Sequence, residues 1–177
     1  LLQDAGRHFS IDNKGIDGLT LERLLHNTDS WLNTSAPDII TVLIGINDIG
    51  IMMNTRRNPR QQQILMNEFS VHYDLLARKL YGTRFSSCRM RKLFFLEPFV
   101  LPWPQYYNSW LPLLSQMSAQ IRQISRKYGA VFVPLQNDLM QKAALSGMDA
   151  ITVDGIHLTL SGHQLLAEKL YSLLTER

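Results

Sequence analysis

Three short apolar runs constrain this chain more than any other feature: "DIITVLIGI" at 38–46, "KLFFLEPFV" at 92–100 and "AVFVPL" at 130–135. A strand with one wet face alternates apolar and polar residues. A run that is apolar at nearly every position suits a strand covered on both faces, as in a parallel sheet between helices. The stretches between the runs repeat at helical period. Leu21, Leu24, Leu25, Thr28, Trp31 and Leu32 share one face, as do Leu65, Phe69, His72, Leu76 and Leu80. Trp110, Leu113, Leu114, Met117, Ile121 and Ile124 keep that period for four turns. A shorter, alternating segment, "HFSIDN" at 8–13, reads as a further strand. In the last helix, Ser161-Gly162-His163-Gln164 fits a capping box, and Leu166, Ala167, Leu170 and Leu174 line one face. The order β-α-β-α-β-α-β-α-α predicts an α/β fold, a three-layer α/β/α sandwich with a central parallel sheet of flavodoxin-like type.

At 177 residues the chain has the length of one domain, 1–177, and can bury a core without staples. "EPFVLPWPQYY" holds three prolines and reads as a loop leaving a strand, not as a linker. The net charge is +3, and the basic residues fall in short groups such as Arg56, Arg57 and Arg60. There is no long basic tract with interleaved aromatics, so no nucleic-acid partner is expected. The single cysteine, Cys88, excludes an intrachain disulfide and has no CxxC context, so it reads as a structural thiol. No run reaches the ~18 apolar residues of a membrane span. The opening "LLQDAGRHF" lacks an initiator methionine and reads as though it starts within a domain. The compartment is therefore unknown from the sequence, with a cytoplasmic setting favoured by the lone cysteine and the lack of a visible leader.

In parallel α/β sheets, ligands sit outside the carboxyl ends of the strands. The loops to search are therefore "NKGIDGLT", "GINDIG", "EPFVLPWP" and "PLQND". The first has Asn13, Gly15 and Gly18 before a helix, where backbone N–H groups could approach a bound oxygen closely or simply form a turn. Neither GxGxxG nor GxxxxGK is present, which argues against a dinucleotide or Walker-type phosphate site. In the second, Asn47 could present an amide donor to a developing oxyanion or close the strand in an Asx turn. In "DGIH" at 154–157, Asp154 stands three residues before His157. A carboxylate there can accept from one ring nitrogen and leave the other free as a general base. His163 reads as a helix first-turn residue, and its spacing from His157 does not suit a metal site, so no metal or cofactor is expected.

Together, "NKGIDGLT", "GIND" at 45–48 and "DGIH" at 154–157 resemble three of the four blocks of the SGNH (GDSL-type) hydrolase family of esterases and lipases, over nearly the whole chain. The resemblance implies the SGNH hydrolase fold and a Ser-His-Asp esterase. It implies that the Gly18 N–H and the Asn47 side chain are oxyanion donors, that His157 is the base and that Asp154 orients it. "LFFLEPFVLPW" is further similar to bacterial carbohydrate acetyl esterases of the acetylxylan esterase type. Members of that branch often carry a tryptophan shortly before the DxxH block and a proline after the histidine. This chain has "AITVDG" and Leu158.

The family's first block, GDS, is missing. None of the thirteen serines stands in that context: Ser10 reads as a strand residue, Ser86 and Ser87 lie in a charged connector, and Ser161 reads as a cap. The first strand of the family fold lies inside the sheet, and its loss would orphan interior backbone groups at about 1–3 kcal/mol each. A strand and turn carrying the serine are thus expected upstream of Leu1, with the sequence N-terminally incomplete. The favoured reading is a serine esterase acting on short acyl esters, with O-acetyl groups on carbohydrates as a substrate class. Within that class, a lysophospholipase or thioesterase remains open. Outside it stands a non-catalytic carbohydrate-binding or interaction relative, and more remotely a flavodoxin-like or receiver-type domain, which would want a phosphate loop or clustered acids. Trp103, Tyr106, Tyr107 and Trp110 could wall a sugar site, although Trp110 fits helix core equally well. The expected partner is a small-molecule or oligosaccharide ester, and self-association into a homo-oligomer stays open.

Overall fold

The computed structural model describes residues 10–34, 37–82 and 92–175. Within them, strands β1 (Ile39–Leu43), β2 (Lys92–Leu96) and β3 (Val131–Val133) form a parallel sheet in the order β1-β2-β3. Ile39 pairs with Lys92 and Leu43 with Leu96, while Phe94 pairs with Val131 and Leu96 with Val133. Helix α1 (Leu21–Thr34) precedes the sheet, and α2 (Ile46–Asn54) and α3 (Pro59–Gly82) join β1 to β2. A 3₁₀ helix (Gln105–Trp110) and α4 (Leu111–Tyr128) join β2 to β3. Helices α5 (Gln136–Ser146), α6 (Met148–Ile151) and α7 (Leu160–Thr175) follow.

The central strand β2 shows why its run is apolar at successive positions. Leu93 and Phe95 enter one core with Phe69, Tyr73 and Leu76 of α3 and Met117 and Ile121 of α4. Phe94 and Leu96 point the other way, into a second core with Val133, Leu139 of α5 and Ile151 of α6, closed by Leu166, Leu170 and Leu174 of α7. Helices therefore cover both faces of the sheet, and the expected α/β/α layering is present. Each of these large side chains contributes about 1.5–3 kcal/mol by leaving water. The heptad-like face of α4 is buried as its period foretells, at Leu114, Met117, Ile121 and Ile124.

Other expectations need correction. The strands are shorter than the apolar runs. Ile46 starts α2 and Gln136 starts α5, so "INDIG" and "QND" are helical first turns where loops were expected. Asn and Asp suit helix starts as well as turns, and the sequence alone does not separate the two. Ser10–Asn13 form no strand: they make no sheet pairing, and Ile11 is 79% exposed. His8 and Phe9 of that expected strand, and Cys88, Ser86 and Ser87, lie outside the described residues. On α3 the buried face is Met66, Phe69, Tyr73, Leu76, Ala77 and Leu80, so Leu65 and His72 are only half-buried. Helix α7 begins one residue earlier than its expected cap. Thr159, not the exposed Ser161, accepts the Gly162 N–H on its hydroxyl at 3.3 Å. Ala167 is exposed, and Leu165 and Leu173 help fill its expected place on the packed face.

Beyond β2, side chains take over from the ladder. Glu97 N–H makes a last sheet bond to the Val133 carbonyl at 2.9 Å. Its carboxylate, buried under the sheet end, accepts from the Leu135 N–H (2.7 Å), the Gln136 N–H (2.9 Å) and the Ser118 hydroxyl. Gln136 then bonds both backbone groups of Val100, accepting its N–H at 3.0 Å and donating to its carbonyl at 2.9 Å. This pins "EPFV", an apolar stretch that pairs through side chains and not as strand. Glu97→Ala orphans three donors, two of them buried, and is expected to lower unfolding free energy by about 2–4 kcal/mol in urea titrations. Glu97→Gln, which keeps one acceptor oxygen, is expected to cost less.

Candidate active site

The sheet's carboxyl end gathers three segments. Gly45 ends the β1 run with φ +127°, a conformation that L side chains rarely adopt. A Cβ there would lie 2.6 Å from Met117 Sδ, so both the turn and the packing require glycine. The chain enters α2 at once, which places Asn47 and Asp48 in its first turn. Both side chains reach back to the segment after Gly18. Asn47 Nδ2 donates to the Leu19 carbonyl at 3.0 Å, and both Asp48 carboxylate oxygens stand 3.2 Å from the Leu21 N–H. Leu21 opens α1, so Asp48 satisfies one of the donors that the helix start leaves free. Burial pushes the Asp48 carboxyl up to about 6, with the Leu21 N–H opposing that rise. An amide has two N–H donors, so Asn47 retains one beyond its bond to Leu19.

The second segment is the "DGIH" turn, held by its own residues. Thr152 donates its hydroxyl hydrogen to the His157 carbonyl (2.8 Å) and accepts the Gly155 N–H (2.7 Å). Val153 N–H also bonds the His157 carbonyl at 2.8 Å. Asp154 Oδ1 accepts the Ile156 N–H (3.0 Å) and the His157 N–H (2.8 Å), and Oδ2 lies 2.8 Å from His157 Nδ1. The turn docks on the loop after β2, where Leu101 N–H meets the Gly155 carbonyl at 2.8 Å. At φ +96°, a Gly155 Cβ would sit 2.5 Å from the Trp103 carbonyl oxygen and 2.7 Å from that of Leu101. Only glycine fits.

These bonds set the charge states. The bond from Asp154 raises the His157 ring above its ordinary 6.5, against the opposing effect of burial and with a further push from Asp17. Burial works to raise Asp154, but the His157 backbone N–H, the His157 ring and the Ile156 N–H together hold it below its ordinary 3.8. With Nδ1 committed to Asp154, Nε2 is the free ring nitrogen. It lies 3.8 Å from Asp17 Oδ1, next to Gly18.

Gly18 and Asn47 line one open cleft of about 410 Å³ with Tyr107, Trp110 and Ile156, the last adjacent to His157. The four residues Gly18, Asn47, Asp154 and His157 thus come from distant parts of the chain to one end of the sheet. Trp103 and Tyr106, 49% and 56% exposed, do not line this cleft. Tyr107 and Trp110 do, although both are buried, with rings edge to face at 4.7 Å. His163 points elsewhere, its Nδ1 2.9 Å from the Thr159 carbonyl. None of the described serines lines the cleft. A concavity of about 480 Å³ between α5 and α7 is larger, but its Asp138 and Lys169 pair with each other and no histidine lines it. Sequence reasoning missed Asp48, Thr152 and Asp17. Each lies within two residues of one it did name, and a one-turn helix start after Gly45 would have exposed Asp48.

A model of the family described as GDSL-like Lipase/Acylhydrolase matches residues 1–165. No curated protein matches. Among solved structures, a protein described as a GDSL-like lipase from Parabacteroides merdae is similar at TM-score 0.77 and 21% identity, over 90% of this chain and 70% of that one. The acetylxylan esterase Axe2 from Geobacillus stearothermophilus is similar at TM-score 0.75 and 19% identity, over 93% and 72%. LAE5, an alpha/beta hydrolase from the metagenome of Lake Arreo, Spain, is similar at 0.73 and 20%, over 90% and 70%. At such identities the likeness is one of fold.

Two outcomes follow from this geometry. Gly155→Ala is expected to destabilise the protein by about 2 kcal/mol or more, read as a lower melting temperature, because the backbone and the carbonyls of Leu101 and Trp103 both oppose a Cβ. Asp48 has a folded-state value raised from 3.8 to about 6, so the folded state holds more protons between those values. Stability is therefore expected to fall as pH rises from about 4 to 6, and Asp48→Asn is expected to flatten that slope in denaturation series.

Proposed function

The chain belongs to the GDSL-like lipase/acylhydrolase family, and on that premise we propose that it hydrolyses short acyl esters by a Ser-His-Asp mechanism. The observation that carries the reading is His157. Its Nδ1 is held by Asp154, and its free Nε2 stands beside the turn that contains Gly18, in the same region as Asn47. An imidazole oriented by a carboxylate close to Gly18 and Asn47 supports the reading of a base working with oxyanion donors. A binding domain has no need of that orientation.

The nucleophile in this mechanism is a serine outside the described residues. His157 Nε2 takes the serine proton as Oγ attacks the acyl carbonyl, and Asp154 stabilises the resulting imidazolium. The tetrahedral oxyanion accepts from the Gly18 N–H and the remaining Asn47 N–H. Collapse breaks the bond to the alcohol, which leaves with the proton from His157. Water then adds to the acyl-enzyme, His157 takes its proton, and the acid is released as the serine is reprotonated. For the substrate class, O-acetyl groups on carbohydrates are supported by the acetylxylan esterases among the structures of like fold, and by Trp103 and Tyr106, whose exposed rings between β2 and α4 could stack on a sugar.

p-Nitrophenyl acetate hydrolysis by the full-length protein tests this. His157→Ala is expected to lower kcat by about 10³-fold or more, and Asn47→Ala by about 10²–10³. The base must be unprotonated, so kcat/KM is expected to rise with pH. Because Asp154 raises His157, the midpoint of that limb lies above 6.5, and Asp154→Asn moves it down. No hydrolysis anywhere from pH 6 to 9 would sink the proposal.

A further inference from the structure

Helix α2 does more than present Asn47. Asn47, Gly50, Ile51 and Asn54 recur at i, i+3, i+4 and i+7, the spacing of one helical face, and all four line the cleft. The face therefore runs outward from an oxyanion donor as a continuous wall. Gly50 is the anomaly on it. It lies inside a nine-residue helix, where glycine weakens the structure relative to alanine. It is not among the glycines with positive φ, so the backbone does not require it. Packing does not require it either: a Cβ would meet only the edge of the Trp110 ring, at 3.4 Å from Cη2 and 3.8 Å from Cζ3, which is ordinary contact. What the missing side chain leaves is space above an aromatic floor, one helical turn from Asn47.

The chemistry says which half of an ester would use that space. The leaving alcohol must collect its proton from His157 Nε2, so it departs on the histidine side. Neither His157 nor Asp154 lines the cleft along α2, whereas Ile51 and Trp110 do. The wall is thus on the acyl side, and between Asn47 and the polar Asn54 it presents only Gly50 and Ile51, beside Trp110. We propose that Gly50 is a specificity-determining residue, whose absent side chain opens a slot over Trp110 for an aliphatic acyl chain a few carbons longer than acetyl. The inference rests on the esterase reading and adds to it the length of chain that the site accepts.

The test uses the full-length protein with p-nitrophenyl acetate and p-nitrophenyl butyrate, which share a leaving group and differ only on the acyl side. Gly50→Val is expected to lower the butyrate-to-acetate ratio of kcat/KM by about tenfold or more, with Gly50→Ala intermediate. Melting curves accompany both, and Gly50→Ala is expected to melt no lower than wild type, so it carries the test if the valine variant does not fold. Ratios within twofold of wild type in the folded variants overturn the role of Gly50 while leaving the esterase reading intact. Equal loss on both esters overturns it too, since that marks a damaged oxyanion hole and not a shortened slot. A wild-type protein that hydrolyses neither ester removes the esterase reading and this inference together.

Discussion

The paired reach of Asn47 and Asp48 to the segment 19–21 is the contact on which the rest of the site depends. Gly18 lies in an exposed turn that no strand among the described residues holds, and its position follows from what grips the residues just after it. Asn47 bonds the Leu19 carbonyl and Asp48 the Leu21 N–H. The same two side chains therefore start α1, fix α2 against it and bring a backbone donor beside an amide donor. The cost is a carboxyl taken out of water. Backbone N–H groups, that of Leu21 foremost, offset only part of that cost, which is why burial dominates and the group is raised to about 6.

The opposite wall of the cleft is built by a different device. The turn at 152–157 carries no ladder beyond the bridge between Thr152 and Leu158, so side chains supply its bonds. Thr152 closes it across its ends, and Asp154 caps two backbone N–H groups with one oxygen while turning the other to the His157 ring. Asp154 is thus a structural residue first, and its hold on the His157 ring is a consequence. A carboxylate already committed to two backbone donors has little freedom to leave the imidazole, which is the preorganisation that general-base chemistry needs.

Much of this was legible in the sequence. The apolar runs gave three parallel strands and the helical periods gave α1, α3, α4 and α7, because burial on both sheet faces leaves a strong pattern. The end of each strand was less legible. "EPFV" is as apolar as a strand, yet the buried Glu97 and the Gln136 amide replace the ladder there, and no periodicity encodes a bond between positions 39 residues apart. The helix starts at Ile46 and Gln136 were hidden for a related reason: an Asn-Asp pair favours a turn and a helix start alike. Asp154 and His157 were readable as a pair because they are three apart in sequence. The grip of Asp48 on Leu21 was not, since it spans 27 positions. The aromatic residues divided by burial, which the sequence does not carry: Tyr107 and Trp110 lie in the cleft lining and Trp103 and Tyr106 do not.

The same environments tie activity to stability. Asp48 is raised in the folded state, so whatever its neutral form contributes is present at low pH and is lost as pH climbs through about 6. His157 is also raised, so the stabilisation of its charged form by Asp154 is full below 6.5 and is given up as the ring deprotonates above it. Asp154, held below 3.8, keeps its contribution throughout that range. Solvent screens the half-exposed His157–Asp154 pair, and its share of stability is small. The direction is nonetheless common to both raised groups. The form in which His157 can accept a proton is the form in which Asp48 is ionised in a buried site, so the base becomes competent as the fold around it loses stability. The proposed role of His157 as a base cannot avoid the loss at that residue. The loss at Asp48 comes from placing the carboxylate that grips α1 at the residue next to Asn47, in the first turn of α2.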